Sequence, residues 1–302
     1  MFVLQQASCV ALQTCRVARY NEGKSAILTA CLVSSRPKSS LLMSNQILDA
    51  YVHGLPSPQL AVDIFKGEWS SRLPGADIVP TGPSKLFEDD RITWAMAQLG
   101  GAEGQRIIEL GPLEGGHSYM LEKLGAASVL AVEANTRSYL KCLITKEIYD
   151  LRKVKFLLGD FVEYLRQGDE KFDICVASGV LYHMLNPCEL IELMASRSDK
   201  VMIWSHYFDA QALAANENVS KDKFSDVSEE NHAGFAHQLH QYNYRDALDW
   251  DGFCGGAAPF SRWMTKEGIL GCLRHFGFTN IETSFDAPQH QNGPSLCLVA
   301  SK

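Results

Sequence analysis

The sequence lacks the features that mark several large classes of protein. No stretch of about 18 or more apolar residues occurs, so we expect no transmembrane helix and no membrane partner. The nine cysteines form no C-x-x-C pair and keep no regular spacing, which favours reduced core residues of an intracellular protein over a disulfide framework. Positive charge is not in excess either. The formal net charge of -7 argues against a broad nucleic-acid-binding surface.

Residues 106–117, R-I-I-E-L-G-P-L-E-G-G-H, form the stretch around which the chain is organised. A short β-branched run, a tight turn at Gly111 and a glycine pair before an amphipathic segment predict a strand, a glycine-rich loop and a helix. Leu113 stands where a dinucleotide-binding loop needs its second glycine, and no Gly-Lys-Ser/Thr follows as in a phosphate-binding P-loop. The loop therefore suits a nucleoside-type ligand without phosphates, and S-adenosylmethionine is the obvious candidate.

The rest of the chain alternates between strand and helix patterns, as in a doubly wound α/β sheet. Strands are predicted near residues 106–110, 129–133, 154–158, 172–177, 200–205, 279–285 and 295–300. Helices are predicted at 118–124 and 136–149, after Asp160, from Pro187 and at 265–276. Because no helix separates the last two strands, we expect them to form an antiparallel hairpin at the edge of a mostly parallel sheet.

Composition divides the chain into three parts. Residues 1–42 are basic, poor in acids and rich in Ser, Thr and Ala, which suits an organellar transit peptide or a translated stretch upstream of a true start at Met43. We expect this extension to be disordered. Residues 43–102 are predicted to be a helical cap, and residues 103–302 the main domain, with a polar lid inserted at 207–262. A cytoplasmic location is expected, or an organellar one if residues 1–42 are a transit peptide.

Acidic residues stand at the ends of three successive predicted strands, where ligands bind in open α/β sheets. Glu109 can accept from a ligand ammonium, Glu133 from ribose hydroxyls and Asp160 from an adenine amine, with Phe161 packing against the base. Each acid also has a bland interpretation, because acids often begin helices. The predicted cofactor-binding residues are Glu109, Gly111, Pro112, Gly115, Glu133, Ala134, Asp160, Phe161 and Ser178.

Strand four leads into Tyr182 and His183, where the methyl group of a bound cofactor would lie. Methyl transfer from a sulfonium depends mostly on positioning, and a base is needed only if the acceptor must lose a proton. His183 suits that role by its ordinary pKa, and His206 lies on the same rim after strand five. The alternatives are a packing tyrosine and hydrogen-bonded structural histidines. The predicted catalytic residues are Tyr182, His183 and His206.

The inserted segment supplies the predicted substrate-binding residues, which are Tyr207, Tyr244, Arg245, Arg262 and Trp263. The two arginines could hold an acidic group bidentately, or pair on the surface with Asp246, Asp249 or Asp251. His232, His237 and His240 could be taken for a metal cluster, but only the last two share a helical i, i+3 spacing and no cysteine pair lies nearby. No metal is therefore predicted.

These residues resemble the class I S-adenosylmethionine-dependent methyltransferases over roughly residues 103–302. Residues 109–115 match that family's E-x-G-x-G-x-G motif except at Leu113, Glu133 matches its ribose-binding acid, and Asp160 with Phe161 its adenine-binding position. The resemblance implies a Rossmann-like seven-stranded sheet of order 3-2-1-4-5-7-6, with helices on both faces. The stretch G-V-L-Y-H at 179–183 is similar to the tRNA wobble-uridine carboxymethyltransferase group, in which the tyrosine lines the transfer site.

The predicted function is methyl transfer from S-adenosylmethionine to an oxygen or nitrogen of a small-molecule acceptor. Two alternatives stay open: methyl or carboxymethyl transfer to a tRNA wobble base, and a scaffold that binds the cofactor without turnover. A basic stripe beside Tyr182 would favour the tRNA substrate. An NAD-dependent enzyme is disfavoured by Leu113. The acceptor and the oligomeric state stay open.

Overall fold

The structure is a computed structural model that describes residues 51–75, 78–79, 81–250, 252–253 and 255–302, without the Lys221 side chain. Contacts divide the chain into two units, Met1–Tyr51 and Val52–Lys302, and all that follows concerns the second. The expectations for residues 1–42, and for residues 43–50 of the predicted helical cap, lie outside the described residues. No helix of the described part is long and apolar enough to cross a membrane.

Seven strands form one mostly parallel sheet, and three more form a small antiparallel sheet. In chain order the strands are β1 (Arg106–Leu110), β2 (Ser128–Glu133), β3 (Val154–Leu158), β4 (Ile174–Ser178), β5 (Lys200–His206), β6 (Phe224–His232), β7 (Phe235–Asn243), β8 (Phe260–Trp263), β9 (Asn280–Ala287) and β10 (Ser295–Ser301). The large sheet has the order β3-β2-β1-β4-β5-β10-β9. The strand numbers differ from the expected 3-2-1-4-5-7-6 only because the inserted strands β6–β8 raise the last two numbers by three. Counted within the large sheet alone, the two orders coincide.

Helices cover both faces of the large sheet. They are α1 (Pro58–Val62), α2 (Asp90–Gln98), α3 (Gly116–Lys123), α4 (Thr136–Ile148), α5 (Phe161–Gln167), α6 (Pro187–Arg197), α7 (Ala210–Ala215) and α8 (Lys266–His275). Side-chain caps fix the start of several of them: Asn135 begins α4, Asp160 begins α5 and Asn186, with Pro187 at the first position, begins α6.

Alternation along β1 places successive side chains in two separate core layers. Ile107 packs in the layer that includes Ile92 and Cys142, and Ile108 packs in the layer that includes Leu190 and Leu273. A strand with period-two geometry presents both faces in this way, so a run of apolar residues indicates burial on both sides. The last two strands pair antiparallel, and β10 also pairs antiparallel with β5, as the missing helix predicts.

The insertion at residues 207–262 is folded rather than irregular. Its sheet has the order β6-β7-β8, and the backbone N–H of Arg262 in β8 donates to the carbonyl of Met184, 2.9 Å away. The sequence analysis predicts a polar lid in this segment but none of its three strands. Most of β6 is exposed on both faces, so its sequence lacks the apolar alternation by which strands are recognised.

Candidate cofactor and acceptor site

The carboxyl ends of four parallel strands lie side by side at one edge of the large sheet. Leu110 in β1 is level with Val132 in β2, and Glu133 is level with Leu158 in β3. On the other side, Glu109 is level with Val176 of β4. This register brings Glu109, Glu133 and the residues after β3 and β4 to one cleft edge, which is where ligands bind in such sheets.

The loop at residues 111–115, here called the glycine loop, turns sharply between β1 and α3. Gly111, Leu113 and Gly115 all have left-handed backbones, with φ of 66°, 55° and 80°. A Cβ on Gly111 would lie 2.6 Å from a methyl carbon of Val180, so this position excludes any larger residue. Leu113 thus keeps the left-handed conformation that a glycine at the same position would adopt without strain.

Glu133 bridges the glycine loop to the start of α4. Its Oε2 accepts from the backbone N–H of Leu113 at 3.0 Å, and its Oε1 accepts from the N–H of Asn135 at 2.8 Å. Burial raises the pKa of Glu133, and these backbone hydrogen bonds oppose that shift. A carboxylate offers about four acceptor positions, so further hydroxyl donors can still bind. Ala134, beside it, is exposed.

Glu109 lies beneath the glycine loop in a chain of buried polar groups. Ser118 donates its hydroxyl to Oε2, and Oε1 lies 3.7 Å from His117 Nδ1 without a hydrogen-bond partner among the described residues. His117 in turn contacts Asp89, which forms an ion pair with Arg91. Burial raises the pKa of Glu109, against the opposing charge of His117. Burial also raises the pKa of Asp89, but hydrogen bonds from His117 and Arg91 outweigh it and leave that pKa below its ordinary range.

The residues after β3 and β4 complete this edge. Asp160 is exposed and accepts from the N–H of Val162 at 2.8 Å, so it caps α5 as the bland interpretation expects. Phe161 is buried in a core layer. The hydroxyl of Ser178 is buried and has no hydrogen-bond partner among the described residues. Pro112, also predicted for the cofactor, is buried in the glycine loop.

Tyr182 stands at the centre of an aromatic cluster, defined here as Tyr182, His183, Trp204, His206 and Trp263. Its ring centroid lies 4.1 Å from that of His183 and 4.7 Å from that of His206. Trp204 and Trp263 follow at 5.8 and 6.1 Å, both edge-on to the tyrosine. The structure therefore brings all three predicted catalytic residues together.

Hydrogen bonds fix the tautomers of both histidines. Tyr244 donates its hydroxyl to the carbonyl of Gly255 at 2.7 Å, so at 2.8 Å it accepts from Nδ1 of His183. His206 Nδ1 faces the carbonyls of Gly293 and Pro294 at 2.9 and 3.1 Å, and carbonyls only accept. In both rings Nδ1 carries the proton and Nε2 is the acceptor.

Both histidines are neutral at neutral pH. Burial lowers the pKa of His183 to about 3, and the neighbouring His206 adds to the shift. Burial also lowers the pKa of His206 to about 4, against hydrogen bonds to Pro294 and Gly293 that raise it. The expectation that His183 keeps an ordinary pKa near neutrality is therefore wrong, because partial burial of its ring disfavours the charged form.

Three aromatic residues predicted to bind substrate are buried structural residues. Tyr207 donates to Oδ1 of Asp286 at 2.6 Å, and Tyr244 holds His183 and Gly255. Trp263 is only 2% exposed, and its ring stacks on His206 with centroids 5.3 Å apart. Strand β8 packs directly on the aromatic cluster, so these positions are more buried than the sequence indicates.

The two predicted substrate arginines form ion pairs with acids other than Asp246 and Asp249, and Asp251 lies outside the described residues. Arg245 pairs with Asp222, and Arg262 lies 3.2 Å from Oε1 of Glu230. Asp222 and Glu230 precede the arginines by more than twenty residues, and the folding of the insertion brings them close. The guanidinium charges are thus already balanced, as in the surface ion-pair alternative.

His232, His237 and His240 of the insertion do not form a cluster. His237 and His240 belong to strand β7, so a spacing of three puts their side chains on opposite faces and the helical relation is wrong. His232 instead contacts Oε2 of Glu192 at 2.6 Å. Within the described residues no group of three or more potential metal ligands is found.

The site also contains residues that sequence reasoning missed. Glu114 and Lys141 form a buried ion pair beside the glycine loop, with 2.9 Å between Oε1 and Nζ. Trp204 belongs to the aromatic cluster, and Arg91 lies over its ring, 4.5 Å from the centroid. Glu114 lies inside the glycine loop, so the sequence analysis could have identified it. Trp204 sits in a buried strand pattern that carries no signal of function.

Two outer segments border the glycine loop. Asn135 donates its amide to the carbonyl of Phe253 in the insertion, 3.3 Å away. Phe253 and the N-terminal residues Glu68 and Ser70 line one groove with Leu113. Parts of the predicted cap and of the predicted lid therefore lie at the edge of the candidate cofactor site.

No family model matches the sequence, and no curated protein matches it. Solved structures do match in shape. The N-terminal domain of EvdMO1, crystallised in the presence of SAH (S-adenosylhomocysteine) and D-fucose, has a TM-score of 0.56 at 18% identity, with 87% of this chain and 97% of that domain covered. Longer EvdMO1 gives a TM-score of 0.50 at 17% identity, and the match covers 87% of this chain but 47% of that one. The likeness shows the fold, a Rossmann-like α/β sheet.

Proposed function

We propose that this protein is an S-adenosylmethionine-dependent methyltransferase that acts on an oxygen or nitrogen of a small molecule. The observation that carries the proposal is the alignment of Glu109, Glu133 and Asp160 at one sheet edge behind a left-handed glycine loop. The similar EvdMO1 domain was crystallised with SAH, which supports the same class of ligand. Residues 103–302 would carry the activity, with residues 43–102 as a cap.

The cleft fits a ligand that carries positive charge and hydroxyl groups. Glu109 presents a buried carboxylate oxygen, and Ser178 a buried hydroxyl, for which the described residues supply no hydrogen-bond partner. Burial raises the pKa values of Glu109 and Glu133, so a cationic or hydroxyl-donating ligand would relieve the cost of their charges. When bound, S-adenosylmethionine supplies an activated methyl group on a sulfonium. Glu133 would hold the ribose hydroxyls, Glu109 the ammonium group and Asp160 the adenine amine.

The aromatic cluster would orient the acceptor and exclude water. Tyr182 is close to both histidines, and Nε2 of His206 or His183 can take the proton of an acceptor hydroxyl as it leaves. Low pKa values make them weak bases in isolation, so the reaction relies mainly on positioning. Burial lowers the pKa values of both histidines, so both are neutral and able to accept a proton at neutral pH.

The balanced charges favour a neutral small acceptor over tRNA. Arg245 and Arg262 are paired with acids, and Glu229 and Glu230 lie exposed on β6 near the cluster. Neither arginine therefore contributes an unpaired positive charge to a basic stripe beside Tyr182. The EvdMO1 domain was crystallised with D-fucose, which supports a hydroxyl as the acceptor group.

The test is calorimetric titration of S-adenosylmethionine, SAH and NAD into the full chain. We expect micromolar binding of both adenosyl ligands and none of NAD. Release of SAH in the presence of a panel of neutral hydroxylated small molecules would then identify the acceptor and separate an enzyme from a non-catalytic scaffold. A folded protein that binds neither adenosyl ligand would overturn the proposal.

A further inference from the structure

Leu113 keeps a backbone conformation that disfavours its own side chain. Its φ of 55° lies in the left-handed region, which glycine adopts freely and a leucine does not. A strained residue of this kind persists only where the surroundings over-determine it. The contacts around residues 113 and 114 should therefore reveal what holds the loop.

The backbone on both sides of the strained position is held. Leu113 N–H donates to Glu133, and the thiol of Cys142 donates to the Leu113 carbonyl over 3.5 Å. The Thr145 hydroxyl donates to the carbonyl of Glu114, 2.8 Å away. Two of these donors, Cys142 and Thr145, belong to α4, so this helix helps to hold the loop in place.

The Glu114 side chain provides a second set of hydrogen bonds that hold the loop. Its Oε1 accepts from the N–H of Ser70 at 2.9 Å and from Lys141 Nζ at 2.9 Å, and its Oε2 accepts from the N–H of Ser71 at 2.7 Å. The side chains of Glu114 and Lys141 are 0% and 6% exposed. Lys141 Nζ also donates to the carbonyl of Glu68 at 2.5 Å. A buried carboxylate with this many donors cannot rotate without losing several charge-assisted hydrogen bonds at once.

We propose that Glu114 and Lys141 are positioning residues, which compensate for the glycine that the loop lacks at position 113 by holding Leu113 in the left-handed conformation. The pair connects α4, the N-terminal segment at residues 68–71 and the glycine loop. Since Leu113 N–H is also the donor to Glu133, the same pair sets the orientation of the carboxylate that would bind ribose. This inference rests on the proposed function for its ligand, but not for the conformational effect.

Position 113 offers a direct test, because glycine there needs no such support. Glu114→Gln and Lys141→Met are each made in the natural chain and in a Leu113→Gly background, and SAH affinity is measured by calorimetry. With Leu113 present, each substitution should weaken SAH binding about tenfold or more. In the Leu113→Gly background the same substitutions should cost less than about threefold.

Two matched controls separate the loop from general stability. Glu122 also accepts two backbone N–H groups, from Arg152 and Lys153, and Lys146 on α4 also donates to a carbonyl, that of Val154. Glu122→Gln and Lys146→Met should leave SAH affinity unchanged. Equal losses of SAH affinity in the Leu113 and Leu113→Gly backgrounds would overturn the proposal. The effect of a purely structural ion pair would not depend on which residue stands at position 113.

Thermal unfolding without ligand keeps the test independent of the proposed function. The fall in melting temperature caused by Glu114→Gln should be smaller in the Leu113→Gly background. If the natural chain binds no SAH, the proposed function fails, while this comparison still tests the pair. Should a variant not fold with Leu113, recovery of folded protein with Leu113→Gly supports the inference, and failure in both backgrounds overturns it.

Discussion

Two histidines flank the ring of Tyr182, and each is held in a single tautomer with Nε2 as the acceptor. The donors and acceptors that fix them come from different places: Tyr244 for His183, and the carbonyls of Gly293 and Pro294 for His206. Both imidazole rings lie against the ring of Tyr182, with centroids 4.1 and 4.7 Å from its own. Changes to these single residues should separate chemistry from cofactor binding.

Removal of the Tyr182 hydroxyl is the first such change. Tyr182→Phe should lower turnover about tenfold or more and leave SAH affinity nearly intact, because the ring still packs in the aromatic cluster. Steady-state kinetics and calorimetry check the two parts. Tyr149→Phe is a control, since that hydroxyl donates to the carbonyl of Pro74 away from the cluster. A collapse of SAH affinity in Tyr182→Phe would make it a cofactor-binding or folding residue.

The pH dependence of turnover follows from the low histidine pKa values. A base works only when unprotonated, so activity is lost as pH falls through its pKa. With pKa values of about 4 for His206 and about 3 for His183, turnover should stay level from about pH 7 down to about pH 5. Turnover numbers measured alongside a stability profile check this. An acid limb near the ordinary histidine pKa of about 6.5 would contradict it.

At the scale of residues, the sequence predicts chemistry better than it predicts contacts. Strand-end positions predict that Glu109 and Glu133 lie at one edge of the sheet, and the strand register places them there. The roles of these residues and of Tyr182 stay predictions. The sequence could not reveal that Trp263 stacks on His206, or that Arg262 pairs with Glu230. Those contacts depend on how β6–β8 fold, and long-range partners have no fixed spacing along the chain.

Among the elements, helix α6 depends on a cap that follows Tyr182 and His183 closely in the chain. Asn186 accepts from the N–H of Glu189 at 3.1 Å, and Pro187 stands at the first helical position. The helix packs Leu190 and Met194 into the core, so its body stays fixed if the cap is lost. Only the first turn, which continues from Tyr182 and His183, should loosen.

Asn186→Ala should therefore destabilise the protein by about 1 kcal/mol, which corresponds to a fall in melting temperature of roughly 2–4 °C. Denaturant titration with an unchanged m-value would confirm a loss of native stability. Thr265→Ala is a suitable comparison, because Thr265 caps α8 in the same way by accepting from Gly268 N–H at 3.0 Å. No change in midpoint for Asn186→Ala would show that the cap contributes nothing.

Elements with strong periodicity were predictable, and elements without it were not. β1 and β3 lie where the apolar runs predict them, and α4 differs by one residue from its predicted end. The sheet β6–β8 was missed because its first strand is polar and exposed on both faces. Strand β6 is stabilised by pairing with β7, and the hydrogen bond from Arg262 to Met184 joins the small sheet to the rest of the domain. These contacts are tertiary, so they leave no local pattern in the sequence.

On the scale of the whole molecule, the buried acid of β1 links stability to ligand binding. Burial raises the pKa of Glu109 in the folded chain above its value in the unfolded chain. The stability associated with such a group is present at low pH and is lost as pH rises through the folded pKa. Above that folded pKa the ionised Glu109 therefore costs stability, which a cationic ligand would return.

Glu109→Gln should raise the melting temperature of the ligand-free protein at neutral pH, and the difference should vanish in acid. The same substitution should weaken S-adenosylmethionine binding, because the ligand ammonium loses its charged partner. Scanning calorimetry at several pH values, with and without ligand, checks both effects. Glu282→Gln, on an exposed position of β9, is the control. A lower melting temperature for Glu109→Gln at neutral pH would contradict the expected sign.

The position of β10 has a consequence for the order in which the protein can form. This strand lies between β5 and β9, yet 88 residues separate His206 at the end of β5 from Pro294 just before β10. During synthesis, one edge of β5 stays open until residue 301 has emerged from the ribosome, a delay of roughly 5–20 s. The last two of the seven strands therefore join the sheet only after β10 has been translated, and the nascent chain meanwhile presents an unpaired apolar edge of β5 to chaperones and to other copies of itself.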